Sequence, residues 1–146
     1  MKSVASATMA TIIVVLFAGC AKDYNDIDEH TWRLTNIETV NGFSSKVPVI
    51  DRPERDDRYL LRFNKESATA QMFLIANNWS AHYQLTQNGT INLLGNTTTE
   101  VGYIGSEIWV EDTINCYGSD DFNYKIKGRN LTLQSEKMTM VFRCNE

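Results

Sequence analysis

Several kinds of residue are scarce in this chain, and each scarcity closes a class of function. Histidine occurs twice among 146 residues, as His30 and His82. A serine or cysteine nucleophile needs a base within hydrogen-bond reach, and these two imidazoles are the only ones on offer. His30 sits at the edge of an acidic segment. His82 alternates away from Tyr83 in a strand-like stretch, which assigns it to the wet face of a sheet. Zinc needs three or four convergent Cys, His or carboxylate ligands, and no such spacing occurs. The D-x-D-x-D-G loop of calcium sites is missing too, so Asp56-Asp57 and Asp120-Asp121 read as solvated loop charges. The expectation is a chain that is not an enzyme and takes no metal or cofactor.

Basic charge is also short. Fourteen Lys and Arg face eighteen Asp and Glu, and the pI is near 5.2. No basic run stands out along the chain, which argues against nucleic acid as a partner and against electrostatic adhesion to anionic lipid. Proline is limited to Pro48 and Pro53, both in "SSKVPVIDRPERDDRYLL". They exclude a helix there, and the alternating charges describe a solvated loop.

A long apolar run is lacking as well. The stretch from Thr11 to Ala18, "TIIVVLFA", is far shorter than the roughly 20 residues that span a bilayer. Met1 and Lys2 precede it and the small residues Ala18 and Gly19 follow, which is the layout of a secretory signal. "LFAGC" resembles the lipobox of bacterial lipoproteins, with Phe17 where leucine is usual. The resemblance implies cleavage after residue 19 and lipid attachment at Cys20. Each buried lipid CH₂ contributes about 0.8 kcal/mol, so several acyl chains hold a protein firmly to a membrane. "AKDYNDIDE" then reads as an acidic tether over 20–30, similar to the tract that marks surface export in lipoproteins of the Bacteroidota. These readings place the protein in the bacterial cell envelope, lipid-anchored at the outer membrane, with one domain over 31–146.

Removal of residues 1–19 leaves 127 residues and a charge of 13 − 18 = −5, enough chain for one domain with its own core. Cys116 and Cys144 remain, and an exported domain with two cysteines favours a disulfide over two buried thiols. Closing a loop of about 28 residues stabilises by about 3–4 kcal/mol in the chain-entropy model.

What is abundant is β pattern. Strand-length segments occur at 31–40, 58–63, 68–75, 80–86, 90–95, 122–127, 130–135 and 137–143, separated by turn residues. In "LTQNGTI", a three-residue loop with Gly89 left-handed pairs Leu85 with Ile91 and Tyr83 with Leu93, keeping one apolar face. A two-residue loop at Gly128-Arg129 pairs Ile126 with Leu131 and Tyr124 with Leu133. The register between the last two strands stays open. "GSEIWVEDTIN", 105–115, predicts a short helix with Ser106 as a possible N-cap. Trp109, Thr113 and Cys116 fall on one side of it, and Glu111 and Asp112 project elsewhere.

From Thr31 to Cys144 the chain resembles the META domain of bacterial envelope lipoproteins. The matching pieces are "TWRL", "LRFN", "ANNWSAHYQL", Thr97 to Thr99, "SEIWVEDTI" and "YKIKGRNLTL…MVF". The family's Gly-Cys-Asn aligns with Ala76-Asn77-Asn78, and its cysteine pair has no counterpart here. The resemblance implies a mainly β (α+β) fold: an antiparallel sheet of about eight strands curling into an open barrel, with one short helix packed on it. It implies no enzymatic activity. Small lipocalin-like envelope proteins share the leading Trp and the β-rich order.

Three functions follow as expectations. The first is an acylated envelope protein whose β domain binds an envelope component or plays a structural part. The second is a lipocalin-like carrier, with Trp79, Tyr83, Tyr103 and Trp109 lining a pocket for a small apolar ligand; a packed interior would count against it. The third is an inhibitor of a secreted hydrolase that uses the loop 44–58.

Overall fold

The computed structural model describes residues 26–42, 44–46, 57–99, 101–102 and 108–145. The signal segment, Cys20, Tyr103 and most of the 44–58 loop lie outside the described residues.

A 3-10 turn, Ile27–Glu29, leads into β1 (Trp32–Thr39) and the short β2 (Ser44–Lys46). There follow β3 (Leu60–Asn64), β4 (Thr69–Phe73), β5 (Asn78–Leu85) and β6 (Thr90–Thr98). A single described helix, α1 (Ile108–Tyr117), precedes β7 (Asp121–Lys127), β8 (Asn130–Gln134) and β9 (Met138–Cys144). All eight expected strands and the expected helix are present. The short strand β2 is an addition, in a segment that read as irregular loop.

Each strand pairs antiparallel with its neighbour in the order β1-β3-β4-β5-β6-β7-β8-β9, and β9 returns to β1, so eight strands close a barrel. Seven residue pairs from Trp32↔Cys144 to Thr39↔Met138 make that closing seam. Closure removes the exposed edges that an open sheet leaves. The short joint lies between β1 and β3, with two pairs, Trp32↔Leu61 and Arg33↔Leu60. Beyond it β2 continues alongside β1 through Asn36↔Lys46 to Glu38↔Ser44.

Both hairpins follow the buried face. Leu85↔Ile91 and Tyr83↔Leu93 pair across a loop in which Gly89 has φ +76, and Ile126↔Leu131 and Tyr124↔Leu133 pair across Gly128 at φ +57. The undetermined register resolves as Leu133↔Met140 and Leu131↔Phe142. Gly95 does not end β6. It sits at φ +60 where the register shifts between Ser80 and His82, and the strand runs on to Thr98 past this bulge.

The inward faces fill the barrel. Trp32, Ile37, Ile91, Phe122, Leu131, Leu133 and Phe142 have no accessible surface at all. A water-sized sphere therefore does not reach them, and their own side chains close-pack the interior. An element caps each end. At one end the 3-10 turn inserts Ile27, whose carbonyl accepts a 2.7 Å bond from Trp32 Nε1. At the other end α1 joins the end of β6 to the start of β7 and buries Val110 and Ile114.

The pairing of Cys116 with Cys144 needs correction: no disulfide joins them, Cys116 being exposed and Cys144 buried. Strand direction gives the reason. Cys116 belongs to the helix at the end where β7 begins, while Cys144 closes β9 at the opposite end, beside Trp32. A seven-residue strand rising about 3.3 Å per residue separates the two ends, far beyond the ~7 Å Cα separation that a disulfide spans.

Candidate functional site

The helix-capped end concentrates the molecule's buried polar chemistry. Between β4 and β5 the chain turns sharply, Leu74 N donating to Asn77 O at 2.7 Å, which aims the Asn77 side chain inward. Asn77 is 7% exposed, and every hydrogen-bonding position of its amide is in use. Its Oδ1 accepts from Thr99 Oγ1 at 3.0 Å and from Val101 N at 2.6 Å. Its Nδ2 donates to Val101 O at 3.0 Å and to Glu111 Oε1. The second carboxyl oxygen, Glu111 Oε2, accepts from Ala76 N at 3.1 Å.

Glu111 is 1% exposed, which corrects the expected helix face. The buried stripe of α1 runs through Val110, Glu111 and Ile114, while Cys116 faces solvent. A buried carboxyl is tolerated when both oxygens are satisfied. The partners that satisfy this one sit 34 and 35 residues away in sequence. The one available sequence signal was the i, i+4 spacing of Val110 and Ile114, with Glu111 at the edge of that stripe. The network joins three chain segments, the β4–β5 turn, the stretch after β6 and α1. Its bonds, to backbone, amide and the Thr99 hydroxyl, hold the helix on the barrel.

Two polar atoms near α1 are buried without a hydrogen-bond partner, Trp79 Nε1 and Asn115 Oδ1. Trp79 is 2% exposed under the helix, where a Cβ placed on Gly118 would come within 3.1 Å of its Nε1.

Of the four aromatic residues expected to line a pocket, Trp79 and Tyr83 do not meet. Trp79 and Tyr83 share the inward face of β5 but stand four residues apart, about 13 Å along the strand. Tyr83 belongs to the other cap. Its ring packs edge-to-face on Phe63 at 5.0 Å, and its hydroxyl donates to Asp28 Oδ2 at 3.1 Å. Burial, and then that hydrogen bond, raises the Tyr83 pKa. Lys65 pairs with Asp28 at 3.5 Å and with Glu29, and the bond to Glu29 leads the causes that raise its pKa. Trp109 is half-buried on α1, and Tyr103 lies outside the described residues.

His82 is exposed on the outer face of β5, and His30 stacks edge-on against Trp32 at 5.7 Å. No group of three or more His, Cys, Asp or Glu converges among the described residues.

No family model matches the chain, and no curated protein sequence matches it. Solved structures do share its fold. A protein from Burkholderia xenovorans, determined by NMR, superposes with a TM-score of 0.63 at 16% identity, covering 81% of this chain and 83% of that one. A second NMR structure gives 0.57 at 15% identity, covering 80% and 89%. A crystal structure described as a lipocalin-like protein from Bacteroides uniformis gives 0.44 at 20% identity, covering 78% and 94%. At these identities the likeness concerns the fold alone.

Proposed function

We propose that this protein is a lipid-anchored component of the bacterial envelope whose META-like barrel binds through its outer surface and catalyses nothing. The observation that carries the reading is the filled interior. With Trp32, Phe122 and Phe142 inaccessible to water, an apolar guest would have to displace core side chains, at a cost of several kcal/mol for each large one. That weighs against a carrier, although the barrel architecture suits one. The buried polar cluster binds the helix to the barrel and supplies no nucleophile, base or metal ligand in reach of solvent. The anchor reading rests on "LFAGC" and the acidic residues after it.

The test is metabolic labelling. When the full chain is expressed in a Gram-negative bacterium fed a tagged fatty acid, the protein takes up label and sediments with membranes. The variant Cys20→Ser takes up none. Equal labelling of both, or no labelling of either, overturns the anchor. An added fluorescent fatty acid that binds the purified protein stoichiometrically would overturn the filled-barrel reading and restore the carrier.

A further inference from the structure

The fold enlarges the short basic stretch 125–129 into a patch by setting Arg143 beside it. On β7, Lys125 and Lys127 point outward while Phe122 and Ile126 point in. The register carries Lys127 across Asn130 to Arg143 on β9, so one cross-strand row bears two cations. At about 4.8 Å per strand they stand roughly 10 Å apart, with Lys125 about 7 Å along the strand. All three side chains are exposed, and none forms an ion pair among the described residues. Arg129, in the adjoining turn, lies at the same end and donates to Cys144 O at 3.3 Å.

Among the described residues, the acids of this flank are at its far end; Glu146, three residues past Arg143, lies outside them. Asp121 begins β7, four residues before Lys125 and about 13 Å away. Asp120 and Lys137 pair at 3.5 Å there, beside Glu136. That spacing exceeds the Debye length of about 8–10 Å at physiological salt, so the patch acts as a separate positive field on an acidic protein. Asp28 and Glu29 share the basic end but cluster with Lys65 and Tyr83 on the β3–β5 side, across the barrel.

The N-terminus supplies the partner. Ile27–Glu29 caps this same end, next to the start of β1. Asp26 is six residues from Cys20, a connection of at most about 22 Å when fully extended. An acyl chain on Cys20 therefore keeps the basic end of the barrel within about 22 Å of the headgroups. A tether that short makes the second contact intramolecular, so weak charge attraction suffices. We infer that Lys125, Lys127 and Arg143 dock the β7–β9 flank onto anionic phospholipid headgroups of the anchoring leaflet, fixing how the domain stands on the membrane. The inference rests on the proposed anchor for its geometry, and its chemistry is testable without acylation.

The experiment uses the full chain carrying Cys20→Ser, which bears no acyl group, with vesicles of phosphatidylcholine alone or mixed with phosphatidylglycerol. The expected result is sedimentation with the mixed vesicles in excess of the neutral ones, and loss of that excess in high salt. Each Lys or Arg near an anionic surface contributes about 1 kcal/mol, so Lys125→Gln, Lys127→Gln and Arg143→Gln together weaken the excess by about a hundredfold. The charge-preserving set Lys125→Arg, Lys127→Arg and Arg143→Lys retains it, which separates charge from folding. Equal binding to both vesicles, or an excess that survives in the Gln variant, overturns the docking surface. Labelling at Cys20 is read independently, so failure of the patch is distinguishable from failure of the anchor.

Discussion

Replacing Glu111 by alanine removes the acceptor that holds the helix cap. Two donors lose their partner, the part-buried Ala76 N–H and one N–H of the buried Asn77. A buried group left unsatisfied costs about 1–3 kcal/mol, giving roughly 2–6 kcal/mol for the two. Alanine's better helix propensity returns about 0.5 kcal/mol or less, and the one lost side-chain methylene adds about 0.8 kcal/mol. The net expectation is about 4 kcal/mol, a large share of the 5–15 kcal/mol typical of a domain. With a urea slope of about 1–3 kcal/mol/M, the unfolding midpoint falls by about 2 M. Glu111→Gln keeps the shape and one acceptor, so its loss is smaller. Asn77→Ala and the double variant complete a cycle whose coupling exceeds about 1 kcal/mol if the two side chains act together. A loss below about 1 kcal/mol for Glu111→Ala, or additive single effects, refutes the network as the helix's fastening.

Other consequences can be checked directly. Gly118→Ala sets a Cβ 2.3 Å from Ile114 O, a backbone atom that cannot step aside, so a loss of about 1–3 kcal/mol is expected in a thermal melt. Tyr83 and Lys65 both have folded pKa values raised above their ordinary 10.0 and 10.5. Their contribution is complete below those values and is lost as pH rises through the raised ones. Stability measured between neutral and strongly alkaline pH therefore falls, and the fall shrinks in Tyr83→Phe. A thiol reagent modifies Cys116 in the folded protein and reaches Cys144 only on unfolding, since one is exposed and the other buried; simultaneous modification of both would place Cys144 elsewhere.

The strands were legible because one apolar face must be buried, and a period of two reports that constraint locally. The two hairpin registers were legible for the same reason, helped by Gly89 and Gly128 at positive φ. What escaped depends on partners brought in from elsewhere in the chain. Glu111 reads as a solvent-facing acid until Asn77 and Ala76 are placed beside it. The disulfide looked plausible from cysteine count alone, because count ignores that consecutive antiparallel strands alternate direction and leave Cys116 and Cys144 at opposite ends. Gly95 looked like a strand end, whereas the chain uses it to pass a bulge. The basic patch was invisible for a similar reason. Net charge is a property of the whole chain, while Arg143 joins Lys125 and Lys127 only through the β7–β8–β9 register.

The central claim is an acylated protein with a filled barrel, and native mass spectrometry of the full-length product, gently extracted from membranes, tests it most directly. The account predicts the mass of residues 20–146 plus acyl chains, with both remaining thiols reduced and no small molecule retained. A chain that is uncleaved or bare at Cys20 would contradict the anchor, and a bound apolar molecule would contradict the filled interior.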